Sequence, residues 1–381
     1  MNRSDLYMNI GIDGNEANIK EKVGVNTYAF ELLWALSKLQ EESELSHRLI
    51  VYLKNEPLAD MPKETQNFKY KVIPGDRLWI LTKLTPSLFF DNQKPDIFFS
   101  PSHYVPIISP MPRICSIMDL GYLEYSAQFA KKDFWQLKVW TAISIFVSKS
   151  IIAISNSTKQ EIVRRYSFAT NKIHAIPLAY DSSQFNMDIS DADVRRVKKR
   201  YAIVDDYVLY LGTLKPSKNI ESLIQAFSKL QPKNTKLVIA GKKGWMFDSI
   251  FQKVADLGLT DKVIFTDFVS ETDKPGLIKG AKVFVLPSYW EGFGLDALNA
   301  MAAGVPVVVS NIGSLPEVVG QAGILVDPKN IDSIASGING VISATKEKYN
   351  SIVKLGLLQA KKFSWEKTAR ETVKVIEGAV K

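Results

Sequence analysis

Cysteine and histidine are almost missing from these 381 residues, and each scarcity removes a class of chemistry. The single Cys115 excludes an internal disulfide, and His47, His103 and His174 offer no zinc-ligand cluster. Long apolar runs are missing too: residues 143–147 with their neighbours fall well short of the roughly 18 residues a membrane-crossing helix requires. The opening MNRSDLYMNIGIDG carries acids where a secretory leader has a basic and then an apolar stretch, so the expected compartment is the cytoplasm. Basic residues are nowhere interleaved with aromatics in a stripe, which argues against a nucleic-acid partner. No repeat with a period of roughly 20 to 50 residues runs through the chain.

What is present is a globular composition, 46% hydrophobic and 23% charged, in a chain long enough for two domains with separate cores. The 48 Lys and Arg outnumber the 40 Asp and Glu to give a charge of +8, and residues 101–200 hold 14 basic against 8 acidic side chains. That local excess suits an anionic ligand or surface, such as a nucleotide or a phospholipid layer.

Periodicity gives the organisation. MNIGIDG reads as a strand, the segment around Gly24 as a loop, and Val25, Tyr28, Leu32, Leu36 and Leu39 follow at helical spacing. Strand-like runs recur at 48–53, 96–100, 113–118 and 151–155, with a helical pattern over 156–166. The polar stretch 181–201 marks a boundary and contains a short charged helix that Ser190 could cap. A second alternating series begins at 207, with strands at 207–212, 236–241, 263–268, 283–287 and 306–310 and helices at 219–230, 247–257, 274–280 and 295–303. The spacing predicts two doubly wound α/β domains, with ligands bound where the carboxyl ends of the strands face a cleft. Residues 365–380 form one more amphipathic helix.

The densest chemical signal is VFVLPSYWEGFGLDALNAMAAGVPVVVS, residues 283–310. Glu291, Gly292, Phe293 and Gly294 lead from a strand into the start of a helix, where free N–H groups and the helix dipole favour an anion. Glu291 beside that anion suits hydrogen bonds from sugar hydroxyls; a glycine turn with a surface Glu is the plain alternative. This segment resembles glycosyltransferases of family four, retaining nucleotide-sugar enzymes of the GT-B fold. Pro287, Ser288, Glu291 to Leu295, Met301, Ala302, Gly304 and Pro306 match the family pattern, followed by Ser314-Leu315-Pro316-Glu317-Val318. LGTLKPSKNI, residues 211–220, looks like the family's phosphate-binding loop with Lys218 at its lysine, and SWEKTA, residues 364–369, resembles the start of its last helix. The chain departs from the pattern at three places. Asn299 stands where the family has a second, ribose-binding Glu, Thr213 where an Arg is frequent, and Met118 where a His precedes the retained Asp119.

The resemblance implies residues 1–188 as an acceptor-side domain, 189–364 as a nucleotide-sugar domain and 365–381 as a helix returning to the first. It implies Glu291, Asp119 and Lys218 as catalytic residues, and Gly24, His103, Thr213, Phe293, Gly294, Leu295 and Asn299 as substrate contacts. No metal and no cofactor is implied beyond the donor, a GDP- or UDP-sugar. The acceptor is a glycan or lipid-linked hydroxyl of a bacterial surface polysaccharide, mannose the favoured sugar. Bland readings stand beside these: a helix-entry glycine for Gly24, an idle loop histidine for His103, and a capping role for Asp119. Asp191 and Asp193 spell a metal-nucleotide D-x-D but read better as helix N-terminal acids. Segments 77–90 and 129–147 mix Trp, Phe and Leu with Lys; core packing explains most such helices, and peripheral contact with the inner membrane surface is the alternative. Two other functions stay open: a nucleotide-sugar binder without turnover, motivated by Asn299, Thr213 and Met118, and a sugar epimerase, disfavoured by the scarce histidine.

Overall fold

Short apolar runs separated by amphipathic segments fold into two parallel sheets, as expected of strands covered on both faces. The computed structural model describes residues 7–125, 131–230 and 234–380, and of residue 133 the backbone alone. The first six residues of the opening segment, and residues 129 and 130 of the amphipathic segment 129–147, lie outside the described residues.

Contacts divide the chain into two compact units, Met1–Leu178 with Trp365–Lys381, and Ala179–Ser364. The first holds β1 (Asn9–Asp13), β2 (Arg48–Leu53), β3 (Phe68–Val72), β4 (Ile97–Ser100), β5 (Arg113–Ile117), β6 (Ser150–Ala153) and β7 (Ile173–Ala175). Their order is β3-β2-β1-β4-β5-β6-β7. The second holds β8 (Asp206–Leu211), β9 (Thr235–Ala240), β10 (Val263–Phe265), β11 (Val283–Leu286), β12 (Val307–Ser310) and β13 (Ile324–Val326), ordered β10-β9-β8-β11-β12-β13. Register is in line throughout, with Ile10 opposite Ile97, and Phe284 opposite both Val307 and Leu209. Every residue of β11 and β12 is buried, so their apolar runs show no alternation.

Residues 179–188 belong with the second unit, ten positions earlier than the boundary expected at 188. Met187 lies in this stretch, its sulfur accepting from Lys279 Nζ at 3.4 Å and standing where a Cβ on Gly304 would meet it. Ser190 then caps the helix Asp191–Arg200, its Oγ accepting from Asp193 N at 3.1 Å. Asp191 and Asp193 occupy the first turn of that helix, and Asp193 also accepts from Ser190 Oγ at 2.7 Å. The D-x-D pair is thus spent on a helix N-terminus.

Segment 77–90 packs inward in part, while Leu78 and Phe90 stay exposed. Trp79, Leu84 and Leu88 pack with Tyr52 and Phe98, and Trp79 Nε1 donates to Ile73 O at 2.7 Å. The helix Trp365–Val380 joins the first unit by laying its buried face, Trp365, Ala369, Thr372, Val373 and Ile376, along the helix Val25–Glu41. Arg370 donates to both carboxylate oxygens of Glu44, at 2.7 and 2.9 Å, and Thr368 Oγ1 donates to Pro177 O at 2.8 Å.

Candidate functional site

Each sheet reverses its strand order once, between β1 and β4 and between β8 and β11. Loops leaving the carboxyl ends of such neighbours run to opposite faces and leave room for a ligand. In the second unit the loop after β8 passes through the exposed Thr213 to a 3-10 turn, Pro216–Lys218. Asn219 follows in the left-handed region, φ 56°, which Asn tolerates better than most residues. Its buried amide donates to Pro287 O at 3.0 Å and to Pro328 O at 2.7 Å, so the loops after β8, β11 and β13 are tied at one point.

That tie fixes Lys218, whose Nζ lies 2.6 Å from Glu291 Oε1 in the loop after β11. Ser288 Oγ donates to the same oxygen at 2.7 Å, and Ser314 Oγ holds the Glu291 carbonyl at 3.0 Å. Both charged side chains keep some solvent access, 17% and 12%. Gly294 caps the helix Leu295–Ala302 in a left-handed conformation, φ 93°, where any Cβ would stand 2.4 Å from Leu315 Cδ2. No side chain caps this helix. Its first N–H groups are thus left without a side-chain cap a few positions after Glu291, and a helix start of this kind attracts an anion.

Phe293 is buried, its ring edge-on to Phe363 at 5.9 Å, so its side chain packs in the interior while its neighbour Leu295 stands at the helix start. Asn299, one turn in, is 5% exposed, and its Oδ1 has no hydrogen-bond partner among the described residues. A buried amide oxygen without a donor asks for one, and a hydroxyl-bearing ligand could supply it. Asp296 went unnoticed in the sequence. Burial pushes its carboxyl above the usual range and Glu291 and Glu271 add to this, while Lys274 and Lys218 pull it down. Ser314 and Asn219 lie within the Ser314–Val318 and 211–220 motifs, but nothing local in those motifs indicates the bonds that the two side chains make.

In the first unit the singled-out residues lie at the carboxyl ends of three adjacent strands. Gly24, φ 52°, caps the helix Val25–Glu41 and has no atom within 4 Å of a would-be Cβ, so backbone conformation rather than crowding calls for glycine there. His103, after β4, lies against Tyr104 with ring centroids 3.9 Å apart. Burial lowers its pKa to about 4, so the ring is neutral near pH 7. Asp119, after β5, accepts from Gly121 N at 2.7 Å and so already organises a turn. Asp13 and Glu16 at the end of β1 form a further carboxyl pair, both raised chiefly by burial and bonded to Asn15 and Asn26.

Comparison with known proteins fits this geometry. Residues 194–356 match the profile of the family described as glycosyl transferases group 1. The chain is 37% identical over 236 residues to O-antigen chain mannosyltransferase B of Escherichia coli, covering 60% of this chain and 61% of that one. It is likewise 37% identical over 245 residues to an uncharacterized glycosyltransferase of Methanocaldococcus jannaschii, covering 62% of each. The chain thus spans about three fifths of the length of these two relatives. Among solved structures, sucrose-phosphate synthase from Thermosynechococcus elongatus superposes with a TM-score of 0.75 at 19% identity over 97% of this chain and 98% of that one. HepE of Anabaena, in complex with UDP and glucose, superposes with 0.73 at 18% over 98% and 100%. The fold is that of the GT-B glycosyltransferases.

Proposed function

We propose that this chain, whose residues 194–356 match the profile of the group 1 glycosyl transferases, moves a hexose from a nucleoside diphosphate sugar to a hydroxyl group of a glycan or lipid-linked acceptor, with retention at the sugar carbon. The observation that carries this reading is the Lys218–Glu291 pair beside the uncapped start of the helix Leu295–Ala302. A diphosphate arriving there meets the Lys218 ammonium and the helix N–H groups. Charge develops on that leaving group in the transition state, so the same groups stabilise it more than they stabilise the bound donor. Once the diphosphate engages Lys218, Glu291 is free to accept hydrogen bonds from the sugar hydroxyls. Asp119 holds the acceptor hydroxyl in the first unit, with Gly24 and His103 on neighbouring loops. The likeness to O-antigen chain mannosyltransferase B supports mannose as the sugar and an O-antigen-like surface polysaccharide as the product, and a GDP-sugar is the donor proposed with it.

A thermal-shift series with UDP, GDP and ADP tests the reading, since a ligand at 100 times its dissociation constant stabilises by about 2.7 kcal/mol. GDP gives the largest shift, and Lys218→Ala abolishes both the shift and sugar transfer. No shift with any of the three nucleotides overturns the reading, and a Lys218→Ala enzyme as fast as the parent overturns the leaving-group role. The orphaned Asn299 amide and the exposed Thr213 favour a second reading, a nucleotide-sugar binder without turnover. Nucleotide shifts without transfer or hydrolysis across a panel of donors and acceptors would select it.

A further inference from the structure

The helix Lys131–Val147 carries its residues the wrong way round for a helix that meets only water. Its inner face buries the hydroxyls of Thr141 and Ser144 together with Ile145, while Phe134, Leu137 and Val147 pack partly against the core around Cys115 and Ile117. The Ser144 hydroxyl finds no hydrogen-bond partner there among the described residues. Positions 135, 139 and 146 fall on one outward stripe by their helical spacing, and they hold Trp135, Val139 and Phe146, exposed by 56%, 50% and 72%. Phe168, 59% exposed, prolongs the stripe with its ring 6.0 Å from that of Phe146. A soluble helix ordinarily places such rings inward and such hydroxyls outward.

Amines surround the rings. Lys131 and Lys132 lie in the first turn and Lys138 Nζ stands 4.8 Å over the Trp135 ring, whereas Lys172, 5.6 Å over the Phe168 ring, spends its ammonium on the carbonyls of Ile145, Phe146 and Ser148 at the helix end. By sequence the helix holds three lysines, Lys131, Lys132 and Lys138, against one acid, Asp133. The nearby Arg164 and Arg165 are already neutralised by Glu124 and Glu161. The combination of exposed Trp and Phe with flanking lysines in excess over acids matches the boundary layer of a bilayer, where rings sit at headgroup depth and ammonium groups meet phosphates.

We infer that the outward face of the helix Lys131–Val147, extended by Phe168, is a docking surface for a bilayer bearing anionic lipids. The charge complementarity selects this occupant over a neutral apolar partner, and the attachment is peripheral because no helix among the described residues is long and apolar enough to cross a membrane. The inference is independent of the transfer reaction, and no sugar donor enters its test.

The test is co-sedimentation of the full chain with vesicles of phosphatidylcholine alone and of phosphatidylcholine mixed with phosphatidylglycerol. The parent binds the mixed vesicles more strongly, and added salt weakens this binding. The triple variant Trp135→Ser, Phe146→Ser, Phe168→Ser lowers the partition coefficient about tenfold or more on both, since each ring removes buried apolar area. Lys131→Glu with Lys132→Glu removes the preference for phosphatidylglycerol. Phe90→Ser, 85% exposed elsewhere in the same unit, binds as the parent does. All these side chains are exposed or in the first turn, and circular dichroism establishes that each variant is folded. The inference falls if the parent binds neither vesicle, if the triple variant binds as well as the parent, or if Phe90→Ser loses as much. It also falls if the parent self-associates through this face, shown by a dimer that the triple variant dissolves, without binding vesicles.

Discussion

His103 shows how one side chain couples the fold to pH. Its ring is boxed against Tyr104, its Nε2 has no hydrogen-bond partner among the described residues, and burial lowers its pKa to about 4 from 6.5. Below pH 6.5 the unfolded chain takes up a proton on this ring that the folded chain refuses until about pH 4. The unfolded state therefore binds more protons across that window, so stability falls as pH falls through it, by roughly 3 kcal/mol over the full span. Replacing the ring by a neutral amide removes the difference. In urea unfolding series at pH 7 and at pH 4.5, His103→Gln loses less stability than the parent on acidification, by about 2 kcal/mol. Equal losses in the two proteins would mean that the ring titrates freely and is not held neutral by the fold. The same residue illustrates what sequence can tell. Its place after a strand was readable from DIFFS-PSHYVP, whereas its burial depends on Tyr104 and the ring packing around it, which no local pattern encodes.

Asn219 acts on three loops at once, and its energetics belong to those elements rather than to itself. It sits at φ 56° with both amide bonds directed to carbonyls, Pro287 O and Pro328 O, in buried positions. Asn219→Ala removes both bonds and puts a Cβ-bearing residue without local hydrogen bonding in the left-handed region; Asn219→Gly removes the bonds alone. Two unsatisfied buried carbonyls cost about 2 to 4 kcal/mol, and alanine adds roughly 1 more for its backbone conformation. Denaturation midpoints should thus rank parent, then glycine, then alanine, and glycine equal to the parent would show that the tie contributes nothing. At this scale the sequence was legible where periodicity was strong. The strands around 207–212 and 283–287 and the helix after Gly294 lie where the pattern put them, and Ser155 and Ser190 cap their helices through Thr158 N and Asp193 N. The run 263–268 was read as a strand, but pairing stops at Phe265, and Asp267 at φ 55° turns the chain. The edge strands β3, β7 and β13 and the helices Ile331–Ile342 and Lys346–Ala360 are not among the elements that the sequence pattern predicts. FKYKV, IHA and ILV are too short, or too mixed with lysine, to alternate recognisably, and their identity as strands comes from the neighbour they pair with. In the site, the Gly294 turn was legible because only glycine fits it. The Lys218–Glu291 contact spans 73 positions and is set by sheet order, which local spacing does not encode.

The whole molecule is organised by a helix that returns to the unit where the chain began. Trp365–Val380 buries Trp365, Ala369, Val373 and Ile376 on the first unit, with the Trp365 and Tyr28 ring centroids 6.3 Å apart. His47 Nε2 lies 3.1 Å from Glu377 Oε1 and Lys38 Nζ 3.2 Å from Glu366 Oε1. The surface ion pairs among these contacts add little, about 0 to 1 kcal/mol each. Apolar burial dominates, at about 1.5 to 3 kcal/mol per large side chain, so the helix contributes on the order of 5 to 8 kcal/mol through Trp365, Val373 and Ile376. That is comparable to the entire stability of an ordinary domain. A chain ending at Ser364 should therefore lose the cooperative fold of its first unit while the second, a compact unit of its own, stays folded. Amide hydrogen exchange read by mass spectrometry separates the outcomes. Peptides from β1, β2 and β4 lose protection in the truncated chain, and those from β8, β11 and β12 keep theirs. A milder version, Trp365→Ala, weakens the same first-unit peptides by about 3 to 5 kcal/mol without moving the second set. If β8 and β11 lost protection as fully as β1, the two units would fold as one cooperative body, and the division at Leu178 would describe contacts rather than stability.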